Sequence, residues 1–450
     1  MAAAMILNFP DGSARGNMIW MTPIPSPPLP VRAIVALCIL NHVALSGARL
    51  ALVEQALRLG VHSLALGLMF APFALASTLG ALPLGRLVDR IGARRPALAG
   101  MSLTTLALAA AARWPVPQVL VAAAAAIGLG YTASLIALQS EIARGRDEGE
   151  RRAGFSAFAV GTAASSGFGP FLAGQLMSHA GAAAAFGVLA GISIAALAGG
   201  ASRATRLLSL RAGVQAARRP PSASGSLHGL PGLGRLLLAD LGMALAWNAN
   251  GFVVPIVAHR HGWPADVAGN LLGCFGVAVL LVRVLPHAWR ARGSDWGAIT
   301  RALLASGAVL ALLPLLPSVR AHTALQILLG CGLGSSLPSV MALVEACTPD
   351  GRRAEVLGLR QAVLGFGATA TPGAVGALVS AAGLAPALAM MGGALLALGA
   401  AIAPREPGPR RCGLPLLWGR SPVTRTSTSA RRSPSPAGTR SPDDARRCPR

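Results

Sequence analysis

Long apolar runs separated by short polar stretches dominate the chain from residue 32 to residue 403. A helix needs about 20 mostly apolar residues to cross the hydrocarbon core of a bilayer. Runs of this kind predict six helices in the first half of the chain and six in the second. Their predicted bounds are 32–57, 63–84, 96–112, 116–140, 154–178 and 181–200, then 235–258, 264–288, 299–316, 321–345, 355–380 and 384–403.

The pattern therefore predicts an all-α membrane protein with twelve transmembrane helices in two pseudo-symmetric six-helix bundles. The bundles are expected at 32–200 and 235–403, joined by a flexible cytoplasmic linker at 201–234 that is rich in Pro, Gly, Ser and Arg. Residues 1–31 are expected to form a cytoplasmic segment. Because acidic Asp11 and several prolines interrupt this segment, it does not resemble a signal peptide. Residues 404–450 are expected to be a disordered basic tail.

The two halves also share a spaced pattern of residues. Gly128-x-Gly130 is followed by Glu141, and Gly332-x-Gly334 is followed at the same spacing by Glu345. The prolines of helices 5 and 11, Pro170 and Pro372, lie at nearly the same offset. Such matches indicate an internal duplication, which is a known architecture of transporters.

Composition and charge support a membrane location. Hydrophobic residues make up 53% of the chain and charged residues only 12%, about half the share expected of a soluble protein. The net charge is +23, carried by arginine because the sequence contains no lysine. A nucleic-acid partner is not expected, because most arginines lie in short segments between apolar runs, where the positive-inside rule places them.

The arginines also predict the orientation of the chain. Alternate connections hold Arg86, Arg90, Arg94, Arg95, Arg144, Arg146, Arg151 and Arg152, whereas the opposite connections hold little more than Arg58, Arg113, Arg260 and Arg320. The arginine-rich side should be cytoplasmic, which places both termini inside a bacterial-type inner membrane.

No cofactor or enzymatic chemistry is visible in the sequence. The six cysteines form no CxxC pair, so no metal site or disulfide framework is expected. No phosphate-binding loop, catalytic triad or metal cluster is found, which argues against an enzyme and against ATP-driven transport.

The segment after the second predicted helix carries glycine, aspartate and arginine at fixed spacing, Gly85-Arg-Leu-Val-Asp89-Arg90-Ile-Gly92-Ala-Arg94-Arg95. Gly85 should let helix 2 approach a neighbour, and Gly92 should allow a tight turn in the loop. Asp89, among arginines at a helix end, suits a charge-paired latch between the bundles. The arginines alone would also satisfy the positive-inside rule, which leaves the aspartate unexplained.

This segment resembles the cytoplasmic signature of the major facilitator superfamily, G-x-L-x-D-R-x-G-R-[KR], with Ala93 at the first basic position after the second glycine. The resemblance covers residues 32–403. It implies a secondary transporter in which two halves rock around a central cavity lined by helices 1, 4, 7 and 10.

Helix 5 contains Gly169-Pro170-Phe-Leu-Ala-Gly174, which resembles the antiporter motif of that family ending in G-P-x-x-G-G. A proline-kinked helix packed through its glycines would give a similar string, so both interpretations stay open. Helix 4 has Ala124 where the drug exporters of the family carry a buried arginine, and this departure weakens the drug-exporter interpretation.

Polar groups inside apolar spans are costly, which makes them candidates for binding substrate or protons. Arg49 would favour an anionic substrate if it faces the cavity, or it could extend to the membrane surface. His42 could carry a proton or be a packed histidine. Asp240 could couple protons or form a structural ion pair. The full set of candidates is Asn41, His42, Arg49, Tyr131, Asp240, Asn248 and Asn250.

The leading hypothesis is alternating-access transport of a small organic solute by a monomer, coupled to protons. Two alternatives are kept: a drug–proton antiporter for efflux, and a transport-inactive membrane sensor or scaffold. The expected partners are a small-molecule substrate, the lipid bilayer and protons.

Overall fold

The computed structural model describes residues 29–143, 148–202, 232–284, 294–348 and 353–403. These residues form twelve helices that belong to one unit ending at Pro404. The expectations for residues 1–28, for most of the linker and for the tail lie outside the described residues. The helices are α1 Leu29–Arg58, α2 Ser63–Ile91, α3 Arg94–Arg113, α4 Pro117–Ala143, α5 Glu148–His179, α6 Gly181–Ala201, α7 Leu233–Arg260, α8 Ala265–Val284, α9 Asp295–Leu312, α10 Val319–Cys347, α11 Arg353–Ala382 and α12 Leu384–Ala401.

Each predicted span overlaps one of these helices, but some helix ends differ from the prediction by four residues or more. Helix α5 begins at Glu148 instead of residue 154, α9 begins at Asp295 instead of residue 299, and α2 and α9 end elsewhere than predicted. Helix α2 continues to Ile91 instead of ending at residue 84, so Gly85, Asp89 and Arg90 lie in its last turns and not in a loop. Hydropathy marks where the apolar run stops, whereas the helix continues beyond it. Helix α9 ends at Leu312 instead of residue 316, because Pro314 and Pro317 follow and proline cannot continue the hydrogen-bond ladder.

The lengths and surfaces of the helices suit a bilayer. Within the described residues, nine helices are individually long and apolar enough to cross a membrane. The other three, α2, α3 and α5, have 29, 20 and 32 residues, which corresponds to at least about 30 Å of helix. Large apolar side chains on the outside are exposed, among them Leu106, Phe168, Ile194, Val277 and Met390. Such a surface suits lipid and not water.

Because the helices alternate in direction, α1 begins and α12 ends at the same end of the bundle. We call this the near end and the opposite one the far end. Helices α1 to α6 pack mainly with one another, as do α7 to α12. The strongest packing across these two sets joins α5 to α8 and α2 to α11, and α1 also packs against α7. We call the first two contacts the α5–α8 seam and the α2–α11 seam.

Glycines bring the helices of both seams close together towards the far end. In the α2–α11 seam, a Cβ added at Gly67 would lie 2.5 Å from the carbonyl oxygen of Pro372 and 3.2 Å from the Cα of Gly376. In the α5–α8 seam, a Cβ added at Gly269 would lie 2.7 Å from the carbonyl oxygen of Pro170 and 2.9 Å from the Cα of Gly174. Each residue of one seam has its counterpart 202 positions away, as in Gly67 and Gly269, Pro170 and Pro372, Gly174 and Gly376.

The same offset corrects the register of the internal repeat. A Cβ at Gly128 would overlap the carbonyl oxygen of Phe73, and one at Gly330 would lie 2.5 Å from that of Phe275. Gly128 therefore corresponds to Gly330, two residues before the Gly332 that the spacing to the glutamates suggested. The sequence has glycine at 330, 332 and 334, and only the helix contact shows which of them corresponds to Gly128.

Candidate functional site

A central cavity of about 1010 Å³ lies between the two sets of helices. Its walls come from α1, α4, α7 and α10, as the family resemblance implies, and also from α2, α8 and α11. The lining reaches the near end through Gln139 on α4, Arg283 on α8 and the exposed Gln361 on α11. The cavity therefore opens toward the near end.

The far end of the cavity is closed by packed side chains and by the two glycine seams. On α7 the lining stops at Phe252, and the next turns are buried in the core, including Val253, Ile256 and Val257. On α2 the rings of Phe70 and Phe73 form part of the closed end, with Phe70 edge-on to Phe252 at 5.8 Å. A solute in this cavity would have access from one side only.

Arg49 is the cationic side chain deepest in the cavity. Its Nη2 donates a hydrogen bond to Oδ1 of Asn248, at 3.2 Å, and its guanidinium lies 5.7 Å from the centroid of the Phe73 ring. Asn248 in turn donates its amide hydrogen to the carbonyl of Ala244, at 2.8 Å. The structure thus brings two candidates, Arg49 of α1 and Asn248 of α7, into one contact across the cavity.

Tyr131 and His42 form a second group on the side of α1 and α4. Tyr131 lines the cavity, and its ring centroid is 5.8 Å from that of His42. The Nδ1 of His42 is buried and has no hydrogen-bond partner among the described residues. His42 therefore lies behind Tyr131 in this conformation.

Asp240 lies in the cavity wall in a buried ion pair. Its Oδ2 is 2.7 Å from Nε of Arg360 on α11, and its Oδ1 accepts a hydrogen bond from Nη2 of the same arginine at 3.3 Å. The shorter contact is poorly aligned for a hydrogen bond, so charge attraction dominates it. The pair joins α7 to α11 in the half of the cavity toward the near end.

Two candidate asparagines lie in helix contacts outside the cavity lining. Asn250 and Gln326 exchange two hydrogen bonds of 2.9 Å between α7 and α10, both side chains being buried. Asn41 donates to Oγ of Ser134 on α4 at 3.2 Å. Both contacts connect neighbouring helices within one half of the chain.

The residues of the signature motif lie at the near end, around the turn between α2 and α3. Gly92 ends α2 with φ +80°, a conformation that L side chains rarely adopt, so the tight turn depends on this glycine. The close approach expected at Gly85 is absent among the described residues, where an added Cβ would meet nothing within 4 Å. Asp89, Arg90 and Arg95 are exposed.

Arg94 of the motif contacts the end of α6. Its Nη2 donates to the carbonyl oxygen of Ala201 at 3.2 Å. Within the described residues no ion pair joins Asp89 to an arginine, so a latch at Asp89 stays a prediction.

The glycines of the α5 motif are explained by packing on both sides of that helix. A Cβ at Gly169 would lie 2.7 Å from the carbonyl oxygen of Val43 on α1, and one at Gly174 would lie 2.7 Å from that of Ala265 on α8. Pro170 places its carbonyl against Gly269. This motif therefore fixes α5 between α1 and α8.

Several cavity residues were missed by the sequence analysis. Arg283 lines the cavity near its mouth and donates to the carbonyl of Ala159 on α5 at 3.3 Å. An arginine inside the predicted span 264–288 was a detectable signal, since intramembrane charges mark functional sites. Gln139 and Gln361 were also detectable, as polar residues inside the predicted spans 116–140 and 355–380. Trp247 had no such signal, because its role depends on which face of α7 is turned to the cavity. Among the described residues, no group of His, Cys, Asp or Glu could hold a metal ion.

Twelve helices around a central cavity, closed at one end by two helix seams, define a multi-pass membrane transporter fold. The sequence matches the family model of the Major Facilitator Superfamily over residues 34–231 and 236–434. The chain belongs to this superfamily of secondary transporters, which are not enzymes.

Solved structures of the superfamily share the fold at low sequence identity. A variant of the peptide transporter POT in complex with alafosfalin is 17% identical, with a TM-score of 0.69 over 83% of this chain and 93% of that one. A variant of the nucleoside transporter NupG is 16% identical, with a TM-score of 0.62 over 83% of this chain and 98% of that one. The human organic anion transporter MFSD10 (TETRAN) is 17% identical, with a TM-score of 0.58 over 84% of this chain and 100% of that one. No curated protein matches the sequence.

Proposed function

We propose that the chain moves a small organic solute across a bacterial-type inner membrane by alternating access, as a monomer driven by the proton gradient. The observation that carries the proposal is the single-sided central cavity. A cavity closed at the far end by two pseudo-equivalent seams, and open at the near end, is one of the two states that alternating access requires.

The charge distribution supports a cytoplasmic near end. Arginines cluster there in the last turns of α2 and the first turns of α3 and α5, whereas Arg58, Arg113, Arg260 and Arg320 are the arginines near the far end among the described residues. Positive residues are retained on the cytoplasmic side of a membrane. In this orientation the cavity faces the cytoplasm.

The Asp240–Arg360 pair supports proton coupling. Asp240 is a carboxylate inside the membrane domain that lines the cavity with its side chain 6% exposed, which is a suitable position for taking up and releasing a proton. Protonation of Asp240 would remove the attraction that holds α7 to α11. The proton would thereby favour a rearrangement of these helices.

The drug–proton antiporter alternative receives less support. The glycines of the α5 motif are explained by their packing contacts with α1 and α8. On α4, the position where drug exporters of this superfamily carry an arginine is occupied by Ala124, which is buried in the core.

Reconstituted protein tests the proposal. Counterflow in proteoliposomes would be measured with carboxylates, amino acids, sugars, nucleosides and cationic dyes, at two pH values and with an imposed proton gradient. We expect at least one solute to exchange and to accumulate uphill in response to the gradient. Exchange of no solute by folded protein would refute the transport proposal.

The variant Asp240→Asn tests the coupling separately. It should retain exchange but lose most gradient-driven accumulation, because its side chain can no longer take up or release a proton. Asp295→Asn is the matched control, because Asp295 is exposed in the first turn of α9 and lies outside the cavity lining. Uphill accumulation by Asp240→Asn equal to that of the control would exclude Asp240 as the coupling residue.

A further inference from the structure

We propose that the solute is an amphipathic organic monoanion, whose carboxylate binds Arg49 while its apolar body packs against the aromatic rings at the closed end of the cavity. This inference rests on the proposed function and names the class of substrate for the same cavity.

The surroundings of Arg49 favour an anionic ligand. Among the described residues, its partners are the neutral amide oxygen of Asn248 and the face of Phe73. A guanidinium has five N–H donors, and these two contacts use few of them. A cation kept within the membrane domain without an acidic partner is costly, and a carboxylate is among the ligands whose geometry a guanidinium matches.

The charges of the cavity wall point the same way. Within the described ranges, the charged residues that line the cavity are Arg49, Arg283 and Asp240. Asp240 is already paired with Arg360, so its negative charge is compensated. In the part of the chain that the structure describes, no acidic side chain forms an ion pair with Arg49 or Arg283, so the wall is positively charged. A cationic solute would be repelled from this wall, whereas an anion would be attracted into it.

The positions of the two arginines favour a single negative charge. Arg49 lies nine residues from the far end of α1, whereas Arg283 is next to the last residue of α8 at the near end. At 1.5 Å per residue their helix positions differ by roughly 10–15 Å along the axis. One small anionic group therefore contacts one arginine at a time. Arg283 lies at the mouth, where it can attract the anion before the anion reaches Arg49.

The wall around Arg49 is mainly apolar and aromatic. Phe70, Phe73, Trp247 and Phe252 line the same region, and Trp247 is held edge-on to Phe275 with the ring centroids 4.8 Å apart. Such rings bind flat apolar groups through area burial and ring stacking. The cavity volume of about 1010 Å³ is at the upper end of the range for small-molecule sites, so a carboxylic acid with one or two rings fits inside.

The test uses the full chain in detergent and compares three probes. Binding would be measured with radiolabelled 3-phenylpropionate, with its neutral amide 3-phenylpropionamide, and with propionate, which lacks the ring. We expect the acid to bind at least about tenfold more tightly than either comparison compound, because each lacks one of the two recognised parts. Equal binding of the acid and the amide to the wild-type protein would overturn the proposal without any variant.

Variants locate the anion site. Arg49→Gln should weaken 3-phenylpropionate binding by about 10- to 100-fold while leaving the weak binding of the amide unchanged. Arg49→Lys should restore part of the affinity. Arg113→Gln is the matched control, because Arg113 is exposed at the far end of α3 and stacks on Trp114. Unchanged acid binding by folded Arg49→Gln would also overturn the proposal.

The outcome can be separated from failure of the transport function. If the reconstituted protein exchanges a neutral or cationic solute and does not bind the acid, the substrate class is wrong and transport stands. If it binds the acid through Arg49 and exchanges no solute, the anion site stands and transport is refuted.

Discussion

The α5–α8 seam and the α2–α11 seam are built alike at their glycines and differ on either side of them. Beyond the glycines, at the far end, Oγ of Ser178 donates to Oδ1 of Asp266 at 2.9 Å and accepts from its backbone N–H at 2.8 Å. Gln175 donates to Asn270 at 3.0 Å. In the α2–α11 seam, 202 positions away, Ser178 corresponds to Ser380 and Asp266 to Leu64. Gln175 corresponds to Ala377 and Asn270 to Leu68. Three of these counterparts have no polar side chain.

The seams differ again toward the near end. In the α5–α8 seam, a Cβ at Gly276 would overlap Gly167, and Arg283 bonds the carbonyl of Ala159 further along. The position 202 residues after Ala159 is Gln361, which is exposed and lines the cavity. In the α5–α8 seam this position therefore contacts the partner helix, whereas the corresponding residue of α11 is exposed to the cavity.

This difference suggests unequal roles for the seams in alternating access. Two related seams need not move equally if one carries additional polar contacts. We infer that α5 and α8 act as the more stable pair, and that α2 and α11 separate more readily when the far end opens. The following predictions test this inference.

The largest effect is expected from Gly276→Val. A valine side chain there must occupy space held by the backbone of Gly167, which cannot move without separating α5 from α8. Overpacking of this kind costs about 1–3 kcal/mol or more. We expect a clear loss of thermal stability in detergent and loss of solute exchange in proteoliposomes.

Gly373→Val is the control for that experiment. Gly373 is also a helical glycine in the transmembrane domain, but an added Cβ would meet nothing within 4 Å. It should retain stability close to that of the wild type. Comparable losses in both variants would mean that valine in a helix, and not the close approach of α5 to α8, causes the effect.

The second prediction compares the near ends of the seams by cysteine labelling. Ala159→Cys and Gln361→Cys, each in a background without native cysteines, place a thiol at two positions related by the repeat. The thiol at 361 should react with a membrane-impermeant maleimide about tenfold faster, since Gln361 is exposed and Ala159 is partly buried against α8.

Unfolded protein would label rapidly at both positions, so labelling in denaturant provides the reference rate. Equal rates in the folded protein would show that the α5–α8 seam is as open at the near end as the α2–α11 seam. The inferred difference between the seams would then be wrong.

For the ranges that the structure describes, the sequence was sufficient to predict the twelve helices, their order and their approximate bounds, because bilayer thickness fixes the length of each apolar run. It could not predict which face of each helix turns to the cavity. Ala-Gly-rich helices lack a clear polar stripe, so the sequence allows Arg49 either in the cavity or at the membrane surface. Its contacts with Asn248 and Phe73 place it in the cavity.

The sequence also could not predict which groups the charged residues contact. Asp240 was a candidate for an ion pair, but Arg360 lies 120 residues further along the chain and meets it only because α7 packs against α11. Arg283 was detectable as a charge in a span. Its contact with the carbonyl of Ala159 depends on an antiparallel register that the glycines at 167 and 276 set.

The smallest effect is expected from the far-end hydrogen bonds, and here the repeat provides its own control. Ser178→Ala removes one hydrogen bond to the Asp266 carboxylate and leaves its backbone N–H, in the first turn of α8, without this partner. The loss should be about 1 kcal/mol in the free energy of unfolding, since the site is only partly buried. Ser380→Ala, at the related position of α11, removes an exposed hydroxyl and should cost almost nothing. If far-end opening separates α5 from α8, Ser178→Ala should also raise the labelling rate of a far-end cysteine, whereas a constant rate would support opening through α2 and α11.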